Sequence, residues 1–144
     1  HNALPFFGNL KDENLDLLSA SSSSNINIEK FISGKGLESL YFEKFNKTKT
    51  TKEIFLNTKK HEEFIKNFYN RLARSLSILL NTIDPDAIVF GGGVSNEIKD
   101  LDYIKKMSFN FAGKENIKTN FLNAKFGDAS GVRGAALLGR SNSI

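Results

Sequence analysis

The sequence predicts an α/β fold, and three consecutive features indicate it. A long segment with helical spacing of apolar residues, 61–83, is followed by the short apolar run Ala87–Phe90 and then by three glycines, Gly91, Gly92 and Gly93. An apolar run of four residues without polar alternation is typical of a strand buried on both faces, as in a parallel sheet between helices. In open α/β sheets, ligands bind beyond the carboxyl ends of such strands. The glycine triplet is therefore the first candidate for a binding site.

Upstream of this strand, the pattern is mainly helical. Residues 1–10 have no helical period, 11–18 could form one short turn, and 19–25 are a serine-rich tract that we interpret as a loop. Residues 28–45 have helical spacing, interrupted by Gly34 and Gly36. The strongest helix is predicted over 61–83, and it must end before Pro85. Its apolar positions are Phe64, Ile65, Phe68, Leu72, Leu76, Leu79, Leu80 and Ile83.

Downstream of the glycines, the sequence predicts a helix, a strand and a last helix. Ile98, Leu101, Ile104 and Met107 have helical spacing, and residues 117–126 alternate loosely, as a strand does. Residues 128–138 are predicted to be helical, with Gly139 as the stop.

Two strands are predicted, and two strands make a poor sheet alone. The apolar run Ala87–Phe90 has the pattern of a central strand, which pairs with another strand on each side. We therefore expect the sheet to be incomplete without strands that precede His1. The lack of an initiator Met agrees with a chain that is part of a larger protein.

Composition excludes several classes of protein. The 144 residues are 40% hydrophobic and 25% charged, as in ordinary globular domains. No apolar run approaches the ~20 residues that span a bilayer, and the absence of cysteine excludes disulfides and thiolate metal sites. The net charge of +4 comes from lysines scattered among acidic residues, which does not favour nucleic acid binding. A cytoplasmic location is compatible with these features.

The glycine triplet has two interpretations that its residues leave open. Its spacing matches neither a dinucleotide fingerprint, which needs a glycine where Asn96 stands, nor a P-loop. It is either a nucleotide contact or a tight turn between a strand and a helix. The second small-residue segment, 127–136, is better interpreted as close helix packing than as a phosphate site.

No other group of residues matches a known catalytic or metal-binding pattern. Glu29 lies at the start of a helix, where a lone carboxylate usually compensates the helix dipole. His1 and His61 do not have the spacing of a metal pair, and there is no catalytic triad or paired-carboxylate motif.

Two segments, 84–96 and 125–136, together resemble the C-terminal half of a ROK-family sugar kinase. The segments 1–5 and 28–36 extend this resemblance over nearly the whole chain. Among these kinases, the bacterial fructokinases are most similar and the N-acetylglucosamine kinases come second.

The resemblance implies an actin-like, ribonuclease-H-like fold of two lobes, of which this chain is the C-terminal one. Residues 1–60 would hold the entry segment and a degenerate zinc loop, and residues 61–144 the nucleotide-side core. ATP with Mg²⁺ would phosphorylate a hexose in the cleft between the lobes. By resemblance, His1 and Glu29 bind the sugar, and Gly91, Gly92 and Gly93 lie along the nucleotide.

The sequence departs from the family pattern in two places. The three zinc-binding cysteines of many relatives are replaced here by Ala20, Ser22 and Asn27. These side chains cannot replace thiolates, so we expect no structural zinc. The family's two phosphate loops and catalytic aspartate match nothing in these residues, so this chain alone should be inactive and needs the N-terminal part of the same protein.

The sequence therefore predicts the C-terminal part of an ATP-dependent hexose kinase, with fructose as the preferred sugar. N-acetylglucosamine is the alternative substrate. A sugar-responsive ROK repressor is the alternative class, and nucleic acid is a partner only in that case. The oligomeric state stays open, with a homodimer as one option.

Overall fold

The computed structural model describes residues 29–113 and 118–124, with side chains from Phe31 onward. Predictions for other residues lie outside this part of the chain. They concern His1, the short turn over 11–18, the serine-rich loop and the helix over 128–138. The described chain forms two compact units, His1–Ser75 and Leu76–Ile144, of which only the described residues are discussed.

The first unit is helical. Its helices are α1 (Glu29–Ile32), α2 (Gly34–Phe45), α3 (Thr51–Leu56) and α4 (Glu62–Thr82), and the last of these continues into the second unit. The sequence predicted that Gly34 and Gly36 interrupt the first helical segment, but both lie within α2, and the break is at Ser33, which caps α2. Its hydroxyl accepts a hydrogen bond from the Gly36 N–H at 3.0 Å, and satisfies one of the free donors of the first turn.

Helix α4 confirms the strongest periodicity in the sequence. The apolar residues at intervals of four are all buried, namely Phe64, Phe68, Leu72, Leu76 and Leu80. Leu79 and Ile83, which the sequence placed on the same stripe, are exposed. Leu79 is near the end of α4, and Ile83 follows the helix directly, with its N–H bonded to the Leu79 carbonyl at 2.9 Å. The buried stripe of α4 is therefore narrower at its C-terminal end than the pattern predicted.

The second unit is built on a two-stranded parallel sheet. Strand β1 (Ala87–Phe90) pairs with β2 (Asn120–Asn123) in the register Ala87 with Asn120 through Phe90 with Asn123. Between the strands lie a 3₁₀ helix, Gly93–Asn96, and helix α5 (Leu101–Ala112). A parallel pair joined through a helix is the α/β unit that the sequence predicted.

One face of this sheet is packed. The rings of Phe90 and Phe121 lie 5.8 Å apart, and Phe109 of α5 meets Phe121 edge to face at 5.9 Å. Phe90, Phe121 and Ile104 are buried. Helix α5 thus covers the sheet face that carries these phenylalanines.

The sequence predicted that β1 is buried on both faces, but the described residues cover only one face. Phe90 is buried and Ile88 half-buried, but Ala87 and Val89 are exposed. The alternation follows from the pleat, since successive side chains point to opposite faces and α5 covers one of them. Among the described residues of the second predicted strand, only Asn120–Asn123 form β2, while Lys118, Thr119 and Ala124 lie outside it.

Within the described residues, no helix has both the length and the apolar character that crossing a bilayer requires.

Candidate functional site

The candidate site is the segment Gly91–Gly93, here called the glycine edge, which begins where β1 ends. The Ala124 N–H donates to the Phe90 carbonyl at 2.8 Å, so the two parallel strands remain paired up to this point. All three glycines are exposed. The glycine edge therefore lies at the carboxyl end of a parallel strand, where open α/β sheets bind ligands.

The other end of β1 is anchored by hydrogen bonds to the residues that precede β2. The Thr119 hydroxyl donates to the Pro85 carbonyl at 2.7 Å, and the Asn120 N–H donates to the Asp86 carbonyl at 2.9 Å. These bonds fix where β1 begins and hence where its carboxyl end projects. The position of the glycine edge is thus set by the pairing of the whole strand.

Only one of the three glycines is required by the backbone. Gly92 has φ +85°, a conformation that residues with a Cβ rarely adopt. A Cβ at Gly91 would make an ordinary contact, 3.8 Å from the Cβ of Ala124. A Cβ on Gly93 would meet no atom of the described residues within 4 Å. The described fold therefore tolerates alanine at Gly91 and Gly93.

The turn after the glycine edge is held by Ser95. Its hydroxyl donates to the Gly92 carbonyl at 2.6 Å, and its N–H donates to the same oxygen at 3.1 Å. Ser95 and Ile98 are buried. Ser95 was not among the site residues predicted from the sequence, although serine side chains commonly bond to a backbone group three residues earlier.

The side chains predicted to bind sugar lie outside the described residues. Glu29 begins α1, and its side chain lies outside the described part, as does the whole of His1. Their roles stay predictions. The positions that replace the zinc ligands, Ala20, Ser22 and Asn27, are also outside it, so the expected absence of zinc stays a prediction as well. The described residues contain no group of three or more His, Asp or Glu side chains that could hold a metal ion.

His61 lies in the first unit, among aromatic rings. It is buried, with Tyr41 edge to face at 5.1 Å and Phe45 at 6.1 Å between ring centroids. The Tyr41 hydroxyl is 3.5 Å from Nε2, while Nδ1 is buried with no hydrogen-bond partner among the residues that the structure describes. Burial, and then the charges of Lys49 and Lys60, lower the pKa of His61 below its ordinary value. The surroundings of His61 therefore favour the neutral imidazole over the protonated one.

Comparison with known proteins decides the family. The family model described as "ROK family" matches residues 25–142, which is most of the sequence. The chain belongs to the ROK family. The resemblance found in the sequence is thereby confirmed, and so is the α/β pattern of the region around the glycine edge.

Several curated proteins are similar to this ROK chain. The N-acetyl-D-glucosamine kinase of Pectobacterium carotovorum is 36% identical over 119 residues, and that of Histophilus somni is 32% identical over 119 residues. Each alignment covers 77% of this chain and 38% of the relative. The N-acetyl-D-glucosamine kinase of Pasteurella multocida is 28% identical over 138 residues, which is 90% of this chain and 44% of the relative. The ROK chain thus spans less than half the length of these relatives.

Proposed function

We propose that this chain forms the nucleotide-side, C-terminal part of an ATP-dependent hexose kinase. The intact protein would transfer the γ-phosphoryl group of ATP to a sugar hydroxyl. Membership of the ROK family supports the kinase reaction, since the similar proteins are named as kinases. Their names favour N-acetylglucosamine as the sugar, ahead of the fructose that the sequence alone suggested.

The nucleotide assignment rests on Gly91 and Gly93, two positions at which the described fold does not require glycine. Gly91 and Gly93 could carry a Cβ without a clash with described residues, and both are exposed at the end of β1. Glycine costs backbone entropy, so its presence at two such positions needs another reason. Close approach of a ligand to the backbone supplies that reason, and a nucleotide fits both the family and the place in the fold.

The remaining roles in the proposal come from the family resemblance. His1 and Glu29 would orient the sugar, and an aspartate from the N-terminal part of the protein would accept the proton of its hydroxyl. Mg²⁺ would neutralise charge on the transferred phosphoryl group. The chain would be part of the C-terminal lobe of an actin-like fold, with residues 61–144 on the nucleotide side, no structural zinc and a cytoplasmic location.

A coupled kinase assay on the full-length protein tests the proposal. ATP, Mg²⁺ and a panel of N-acetylglucosamine, fructose, glucose and mannose are compared. We expect the highest kcat/KM for N-acetylglucosamine, and no turnover by the 144-residue chain alone. Absence of ATP-dependent phosphorylation of every hexose, combined with sugar-dependent DNA binding, would instead identify a ROK repressor.

A further inference from the structure

We infer that Ser95 is a positioning residue for the nucleotide, because its hydroxyl fixes the orientation of the peptide between Gly92 and Gly93. This inference rests on the proposed function of the glycine edge. Ser95 itself is buried and is not expected to touch the nucleotide. Its effect would pass through the backbone that the nucleotide meets.

The hydrogen bonds of Ser95 converge on a single oxygen atom. The Gly92 carbonyl accepts the Ser95 hydroxyl at 2.6 Å and the Ser95 N–H at 3.1 Å. A carbonyl oxygen has two lone pairs, so both of its acceptor positions are engaged. The carbonyl is therefore held on the side of the turn where the buried serine lies, and away from an incoming ligand.

The orientation of the Gly92–Gly93 peptide decides whether an N–H or a carbonyl oxygen faces a ligand at the glycine edge. The described peptide bonds are trans, so the carbonyl and the N–H of one peptide point in opposite directions. With the Gly92 carbonyl turned towards Ser95, the N–H of Gly93 is directed to the opposite side. A rotated peptide would instead place a partly negative oxygen at the exposed edge, where it would repel a polyanionic nucleotide.

The flexibility of glycine explains why this peptide needs a side chain to hold it. Gly92 is at φ +85° and ψ 174°, and glycine populates many other regions at little cost. A Cβ would meet no described atom within 4 Å at Gly92 or at Gly93, so neighbouring packing does little to restrict them. The hydroxyl of Ser95 adds a side-chain hydrogen bond to the backbone one, and the two together favour this conformation of the turn.

The test measures ATP binding to the full-length protein by titration calorimetry, together with KM values in the kinase assay. Ser95→Ala removes the hydroxyl and should raise the Kd for ATP about three- to tenfold, the effect of losing one hydrogen bond. The KM for the sugar should stay unchanged. Ser95→Thr keeps the hydroxyl and should restore most of the ATP affinity.

Ser108→Ala is the matched control. Ser108 is a buried serine in the same unit, and its hydroxyl donates to a backbone carbonyl, that of Ile104 at 2.7 Å, inside α5. The Ser108→Ala variant should lower the free energy of unfolding about as much as Ser95→Ala does, without changing the Kd for ATP. The inference about Ser95 would be overturned if Ser95→Ala bound ATP as tightly as the wild type, or if Ser108→Ala lost as much ATP affinity as Ser95→Ala. Either result would leave the proposed function standing. A wild-type protein that does not bind ATP would overturn the proposed function as well.

Discussion

Val89 and Leu122 are direct partners in the parallel register of β1 and β2, and both are largely exposed, at 60% and 49%. Partners in register point to the same face of a sheet. This face is opposite the one that holds Phe90 and Phe121, which is packed under α5. The sheet thus has one covered face and one apolar face that the described residues leave open.

In the full-length protein, we expect the open face to be covered, because an exposed pair of large aliphatic side chains at the centre of a parallel sheet is unusual. Val89→Thr tests this, since threonine keeps the shape and replaces a methyl group by a hydroxyl. A covered position should lose about 1–3 kcal/mol of unfolding free energy, because the hydroxyl is buried without a partner. Urea denaturation gives the value, and a change within about 0.5 kcal/mol would show that Val89 stays in solvent.

The glycine edge yields a second prediction, in which stability and nucleotide binding change separately. Gly93→Ala should leave the fold intact or stabilise it by about 0.4–1 kcal/mol, since its backbone conformation suits alanine and the space is open. The added Cβ should obstruct the nucleotide and cost roughly 1–3 kcal/mol of binding, as overpacking does. Calorimetric titration with ATP and thermal unfolding of the full-length protein measure the two effects.

Gly113→Ala is the control for that variant. Gly113 ends α5 at φ +66°, in the left-handed region, so alanine there should cost about 1–2 kcal/mol of stability. ATP binding should be unchanged. If Gly93→Ala bound ATP like the wild type, the glycine edge would be a turn and not a nucleotide contact.

The sequence predicted elements more accurately than burial. The stripe through Phe64, Phe68 and Leu72 located α4 because the period of 3.6 persists over 21 residues. The run Ala87–Phe90 located β1 to the residue, because Pro85 and the glycines bound it. Such local signals are sufficient to locate these two elements.

Burial depends on partners that a local pattern does not reveal. The apolar character of Val89 predicted a covered position, yet only the face of β1 towards α5 is covered by described residues. The role of Ser95 was missed for a related reason. Its hydrogen bonds depend on the backbone angles at Gly92, which the residue types do not specify.

His61 should make the stability of the protein depend on pH. Its pKa is lowered in the folded state, mainly by burial and then by Lys49 and Lys60, from an unfolded value near 6.5. The unfolded chain therefore binds a proton at a higher pH than the folded chain does. By linkage, the stability due to neutral His61 is complete above about pH 6.5 and is lost as the pH falls below that value.

His61→Phe removes the titrating group and keeps an aromatic ring beside Tyr41 and Phe45. Urea denaturation of the full-length protein at pH 5, 6, 7 and 8 measures the effect. The wild type should lose more stability than the variant between pH 7 and pH 5. If the free energy of unfolding changed equally with pH in the wild type and the variant, His61 would not be the source of the pH dependence. Other groups would then dominate the loss of stability in acid.

The adjacent leucines Leu79 and Leu80 test how narrow the buried stripe of α4 is near its end. They are the same residue type in the same helix turn, but Leu80 is fully buried while Leu79 is 40% exposed. Leu80→Ala should therefore cost about 2–5 kcal/mol, through lost apolar burial and the cavity left behind. Leu79→Ala should cost about 1 kcal/mol or less, since much of its side chain already contacts water and alanine favours the helix. Chemical denaturation of both variants gives the comparison, and equal losses would show that Leu79 is covered in the full-length protein.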